Sequence, residues 1–401
     1  METIQYAGHK IPVKNEYDVI VAGAGISGFA AALTAAQAGA KTLLIERSGE
    51  IGGSASLAGV ANFCTAGDDL NNNGALWGSI LDRLICNHAI GEENGYMVKH
   101  NPQIHTVDYP FAPAMLSPVL LEMLCENNVD LLLHSVVTDV IKDMNSIRYA
   151  VVFNESLSSA VQGKVFVDAT GDGVLSRLSG AKCLPVVDGE YDPIPPAFRV
   201  YLHKSERPCP VQADAEPCRY SVQVLPDETV VLKININSAQ TLNADERNNT
   251  EIEIRRRVLA SVRDFQEKNG TCYQLAGTPQ NLGIRESIRI EGDYVLTCED
   301  IKKSRKFDDA VAEGSFIIDT VHKHEVVPSF DIPFRSLLVK GLDNLMVAGR
   351  CFSAERAAMS AARIMKTCCR MGQACGAAAA AAINENRKIR EIDITQISQM
   401  I

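Results

Sequence analysis

Residues 18–46 hold the pattern that most narrows what this chain folds into. Asp18-Val-Ile-Val-Ala22 is a short β-branched run that reads as a buried strand. Gly23-Ala-Gly25-Ile-Ser27-Gly28 follows at once. Phe29 to Gly39, rich in Ala and free of Pro, then reads as a helix ending at a glycine. Lys41-Thr-Leu-Leu-Ile45 reads as a second strand closing on Glu46. Gly23 permits the tight turn out of the strand, Gly25 lets a pyrophosphate approach the backbone, and Gly28 lets the helix pack closely on the sheet. The N–H groups of the first helical turn, Ser27 among them, then face the phosphates. Glu46 stands eighteen residues beyond Gly28, where a carboxylate accepts hydrogen bonds from ribose hydroxyls and disfavours a 2′-phosphate. The strand, glycine turn, helix and acid together predict a dinucleotide site, with NADP disfavoured.

Composition bounds the rest. At about 150 residues per domain, 401 residues imply two or three domains. Hydrophobic residues at 46% and charged residues at 22% exclude a disordered chain. A formal charge of −10 argues against a nucleic-acid partner. No run approaches the roughly 18 apolar residues of a membrane span; the Ala-rich stretch from Ala374 to Ile383 is too short. Met1 to Lys14 carries no signal-like apolar stretch, so a cytoplasmic location is expected. The twelve cysteines form no C-x-x-C pair and are expected as free thiols, not a metal or cluster site.

Four further stretches decide which dinucleotide. Glu46-Arg47 is followed by Gly52-Gly53-Ser54; Val129 to Val140 reads as paired short strands; Gly163 to Asp168 runs into Ala169-Thr170-Gly171-Asp172-Gly173; and Gly341 to Ala348 reads as a strand ending in Gly349-Arg350 before a long helix, Ser360 to Asn384. Gly283 to Asp300, with Arg285 and Arg289, Ile332 to Leu338, Val347 to Ser353, Arg363 to Cys368 and Met371 to Ala374 complete the set. Together these resemble the FAD-dependent oxidoreductase family, the two-dinucleotide-fold flavoproteins related to glutathione reductase and fumarate reductase. The resemblance covers about residues 16–64, 105–183 and 275–385.

The resemblance implies a Rossmann-like α/β FAD-binding domain of glutathione reductase type, residues 1–184 and 331–401, interrupted by an α+β substrate or cap domain, 185–330. It implies non-covalent FAD, since no attachment residue stands out. Gly53 and Ser54 would run beside the flavin phosphates, and Val137 would meet the adenine through its backbone. Thr170, Gly171 and Asp172 would cross the cofactor, and Gly349 and Arg350 would contact ribityl and phosphate. Ala361, Ala362 and Arg363 would place a helix N-terminus at the pyrimidine end.

Between Pro185 and Glu325 the pattern changes. Repeated prolines break the chain, Tyr220–Leu225 and Thr229–Ile236 alternate as a hairpin, and Asn249–Glu267 has helical spacing with Ile252, Ile254, Val258 and Val262 inside. Where this region returns to the nucleotide domain, Arg285 and Arg289 are four apart and suit a carboxylate, with a structural ion pair as the alternative for either. His322 and His324 would share a face of a strand and suit proton transfer, with a solvated, core or metal-bound histidine as alternatives.

The expected catalytic set is therefore Arg285, His322 and His324. They would serve hydride transfer between flavin N5 and a small organic substrate, for which a carboxylate group is one option. With no second glycine unit for a built-in nicotinamide, electrons would come from or go to a separate donor or acceptor. Two rivals stay open: a non-redox isomerase or lyase, and an electron-transfer subunit of a larger complex.

Overall fold

The β-branched run at 18–22 is the inner end of a longer strand, β1 (His9–Ala22), in the computed structural model. The structure describes residues 2–65, 74–90, 99–101, 106–155, 157–185, 194–225, 227–235, 244–320 and 324–401. After β1 come helix α1 (Ile26–Gln37), β2 (Thr42–Ile45), β3 (Asp130–Leu132), β4 (Ser135–Asp143), β5 (Ser146–Asn154) and β6 (Leu157–Asp168). β1 lies between β2 and β6, β3 flanks β2, and all four run parallel. Val19, Ile20 and Val21 are fully buried, which is why an unbroken apolar run rather than an alternating one forms this strand. The N-terminal half of β6 pairs antiparallel with β5, and β5 with β4.

The expected pairing within Val129–Val140 is corrected. β3 pairs with β2 and β4 with β5, so the two strands stand at opposite ends of the sheet order and are not each other's partners.

A second, four-stranded antiparallel sheet forms from β7 (Ala197–Lys204), β8 (Tyr220–Val224), β9 (Val230–Asn235) and β10 (Tyr273–Gly277), in the order β8-β9-β7-β10. Phe198, Val200, Leu202, Leu232 and Ile234 on one face pack with Val258, Val262 and Phe265 into a separate core. The expected helix over Asn249–Glu267 is two helices, α2 (Ala244–Arg256) and α3 (Val258–Asn269), broken at Arg257. α2 buries only Ile254, so Ile252 is 52% exposed and not part of the core.

The chain then returns to the first core, to which Ile290, Leu296, Ile301, Val311, Ile318 and Phe330 contribute. A two-residue ladder, β11 (Ile318–Asp319) with β12 (His324–Glu325), precedes β13 (Leu345–Val347), which adds in parallel to β6. The helix expected over Ser360–Asn384 is likewise two, α4 (Arg356–Ala362) and α5 (Met365–Glu385). Ile364 between them is extended, while Arg363 is held by Asp319 at 2.6 Å.

α5 crosses α1 at backbone distance. A Cβ added to Gly372 would lie 2.1 Å from the Ser27 carbonyl oxygen, and one on Gly376 2.3 Å from that of Ala31. Any side chain there would force the two helices apart, so the small-residue stripe fixes their separation.

Candidate functional site

The turn leaving β1 and the start of α1 line one side of a cavity of about 530 Å³. Gly25 is the N-cap of α1 and no side chain caps the helix, so the first-turn N–H groups have no side-chain partner. Glu46, 6% exposed at the end of β2, accepts from the Ala24 N–H through Oε2 (2.8 Å) and from the Ser48 N–H and hydroxyl through Oε1 (both 2.9 Å). The carboxylate therefore ties the glycine turn to the loop after β2. That loop lies against the turn: Gly52 N–H donates to Ala24 O at 2.8 Å, and a Cβ on Gly53 would come within 2.8 Å of Gly25 Cα.

Gly23, Gly25, Ser27, Glu46, Arg47, Gly53 and Ser54 all line the cavity. Gly28 packs behind them, since its Cβ would lie 1.7 Å from Gly23 O.

At the end of β6, the buried Asp168 accepts from the N–H and hydroxyl of both Thr170 and Ser176. Burial pushes its carboxyl up, against the pull of those four bonds. This knot holds Thr170, Gly171 and Asp172 at the cavity. Asp172 meets Arg247 of α2 (2.8 and 3.1 Å) and Arg350 (3.0 Å). Burial opposes its ionisation, but the two guanidinium groups outweigh it and hold the carboxyl well below the usual range.

Arg350 also donates to Gly171 O (3.0 Å), Ser287 Oγ (3.2 Å) and Ile284 O. It lines the cavity beside Gly349, yet its guanidinium is spent on the protein.

The break between α4 and α5 gives the cavity a second uncapped helix start, with Arg363, Ile364, Met365 and Cys368 facing it. Ala361 and Ala362 lie inside α4, fully buried, and do not reach the lining. Val137 sits in β4, 7% exposed, and is not among the residues that line the cavity.

The opposite wall is the polar face of the second sheet, laid on residues 58–64. Tyr201 donates to Gly59 O at 2.9 Å, Arg199 reaches Ala58 O at 3.5 Å, and Gln223 bonds Asn62. On this face Arg199 of β7 and Lys233 of β9 are direct cross-strand partners, and both line the cavity. Burial pushes Lys233 down to about 8, reinforced by Arg285 and Arg199. Burial, then Arg363, brings Arg285 down to about 10. Among the described residues, neither Lys233 nor Arg285 has a hydrogen-bond or ion-pair partner. Cys64 faces the same space; burial and then Asp108 push its thiol well up, so it stays protonated.

His324 lines the cavity with Nδ1 3.1 Å from Asp319, whose other oxygen takes Arg363. His322 lies outside the described residues. Arg289 is 1% exposed and donates to Ala354 O at 2.9 Å and to Pro185 O; it braces the chain away from the cavity.

Five charged lining residues were missed: Arg199, Lys233, Arg247, Asp319 and Asp108. For the first two a signal existed, a single cation inside each of the apolar strands Ala-Phe-Arg-Val-Tyr-Leu and Val-Val-Leu-Lys-Ile. Among the described residues no group of three or more His, Cys, Asp and Glu is placed to hold a metal ion, and no helix is long and apolar enough to cross a membrane.

FAD fits this site. Two helix N-termini without side-chain caps open on one cavity, the space beside Gly25 is kept free by its missing side chain, and Gly53 lets the second loop pack against that glycine.

The fold is shared with solved structures at low sequence identity. A geranylgeranyl bacteriochlorophyll reductase-like protein from Thermoplasma acidophilum superposes with a TM-score of 0.52 at 16% identity, covering 97% of this chain and 82% of that one. An anhydrotetracycline hydroxylase from Streptomyces rimosus gives 0.51 at 14%, covering 96% and 65%. A flavin-dependent brominase gives 0.51 at 14%, covering 94% and 81%. No curated protein matches in sequence. The family model described as FAD dependent oxidoreductase, however, matches residues 18–186 and 193–401. With a cradle that fits the cofactor and a family match over nearly its whole length, the chain belongs to the FAD-dependent oxidoreductases.

Proposed function

We propose that this protein is an oxidoreductase transferring a hydride between a small carboxylate-bearing substrate and N5 of a non-covalently held FAD. The observation that carries this reading is Arg285, a cation with no hydrogen-bond or ion-pair partner among the described residues, which opens on the same cavity as the glycine cradle. An arginine so placed suits a carboxylate, which it grips through two parallel N–H donors. His324, oriented through Nδ1 by Asp319, leaves its other nitrogen to take or give the proton that accompanies the hydride. FAD supplies the two-electron centre, and a separate donor or acceptor of electrons completes the cycle. The glutathione reductase type of FAD domain, residues 1–184 with 331–401, and the cap within 185–330 belong to this reading, as does a cytoplasmic location.

The test is an anaerobic titration of the FAD-loaded protein with small carboxylic and hydroxy acids and with their methyl esters. Bleaching by an acid but not its ester, lost in Arg285→Ala, is expected. Equal bleaching by acid and ester, or an Arg285→Ala enzyme with unchanged turnover and KM, overturns the assignment.

A further inference from the structure

The cap wall carries more positive charge than one carboxylate can answer. Arg199 and Lys233 stand directly opposite each other in the β7–β9 ladder, on the face turned to the cavity. Like charges in that relation repel, and the sheet is less stable for holding them. Arg199 is 7% exposed and its single described contact is the long one to Ala58 O, while Lys233 has none among the described residues. Arg285 is close enough to lower the basicity of Lys233. Of the lining acids, Asp319 is taken by Arg363 and His324, and Asp172 by Arg247 and Arg350. Glu46 is taken by the Ala24 and Ser48 donors, so among the described lining acids Asp108, beside Cys64 and Asn62, and the already shared Asp319 are what offsets the three cations. One substrate carboxylate on Arg285 therefore leaves a cation still uncompensated in a partly desolvated wall, a costly arrangement.

We propose that Arg199 and Lys233 form a second anion subsite on the cap sheet, so that the substrate carries two anionic groups, one for Arg285 and one for this pair. The inference rests on the carboxylate-substrate reading above and adds the second charge. Two oxygens of a carboxylate, or of a phosphoryl group, would bridge the guanidinium and the ammonium and turn their mutual repulsion into shared attraction. The downward push on Lys233 agrees with such a vacancy of counter-charge, and a bound dianion would push it back up.

The experiment follows perturbation of the flavin absorbance of the FAD-loaded protein by propionate, succinate and 3-phosphonopropionate. The expected result is that succinate or 3-phosphonopropionate binds about tenfold or more tightly than propionate. The tighter of the two tells whether the second group is carboxylate or phosphoryl. Lys233→Met and Arg199→Met should each erase most of that preference while leaving propionate binding within about twofold. Lys233→Arg should keep the preference at pH 9, where the wild type loses part of it; this variant also serves if a methionine variant fails to fold. Equal binding of propionate and succinate that still depends on Arg285 overturns the second subsite alone. No binding by any of the three acids overturns the carboxylate reading beneath it. A uniform loss for mono- and dianions in Lys233→Met assigns the lysine a structural part and also overturns the subsite.

Discussion

The two walls of the cavity recognise charge by different means. The base wall is glycine and helix start: its donors are backbone N–H groups, fixed by secondary structure and carrying only partial charge. The second-sheet wall is side chain: Arg199 and Lys233 face each other across the ladder, and among the described residues neither has an ion-pair partner. A backbone cradle is rigid and suits a constant, invariant group such as a pyrophosphate. Charged side chains on strands are replaceable one at a time, and suit the part of a ligand that differs from enzyme to enzyme.

The sharpest way to break this contrast is on the base wall. Gly28→Ala places a carbon 1.7 Å from a backbone oxygen that no rotamer can move. A loss above about 4 kcal/mol in chemical denaturation, or no folded protein at all, is expected. Gly25→Ala is the control. Gly25 has φ −64°, which alanine adopts freely, and its Cβ would meet nothing closer than 3.9 Å. That variant should keep its stability within about 1 kcal/mol yet weaken FAD binding about tenfold, by filling the approach to the phosphates.

Next in size are the proton-handling residues. His324→Gln should lower kcat about a hundredfold with little change in KM, and Asp319→Asn should lower it less. Loss of binding without loss of kcat in either variant would assign them to substrate grip.

A smaller effect separates the walls by pH. Lys233 is held at about 8 in the folded protein against 10.5 for an ordinary lysine. Affinity for anions should decline as pH rises through about 8 and stay level in Lys233→Arg.

The smallest effect is on stability. Below pH about 8 both folded and unfolded chains carry the charge. Between about 8 and 10.5 only the unfolded chain binds the proton, so this group adds stability as pH rises through that window. Lys233→Met should abolish that slope and raise the melting temperature at pH 7 by about 1–3 °C, as expected for relieving one cross-strand repulsion. A lower melting temperature would mean the lysine contributes packing that outweighs its charge.

What could be read from sequence divides along the same line as the walls. Gly23 to Glu46 is contiguous, and each residue's task follows from its distance to the next, so the cradle was legible. Arg285 and His324 were legible as residue types but not as a constellation. The Arg199–Lys233 pair was not legible, because strand register alone sets them opposite, with a hairpin and a proline-rich stretch between. The Asp172–Arg247 tie spans 75 residues, so nothing local announces it. Arg350 shows the opposite error. Its position beside Gly349 was anticipated, but its donors go to Gly171, Ser287 and Asp172, a tertiary choice that a one-dimensional motif does not contain. The long helices failed for a related reason. Periodicity continues through Arg257 and Arg363; at Arg363 an ion pair with the distant Asp319 accompanies the break, while Arg257 pairs with Glu253 a turn earlier on its own helix.

The α1–α5 crossing has a consequence for anyone redesigning this enzyme. Because Gly372 and Gly376 abut carbonyl oxygens rather than side chains, no second mutation on α1 can make room for a larger residue. Those positions are closed to stepwise variation, and clones altered there would vanish from a random library before any screen reads them. The strands bearing Arg199 and Lys233 face open space instead, so variants there survive to be screened. Diversity aimed at new substrates belongs on the cap sheet, with the glycine crossing left untouched as the fixed frame of the search.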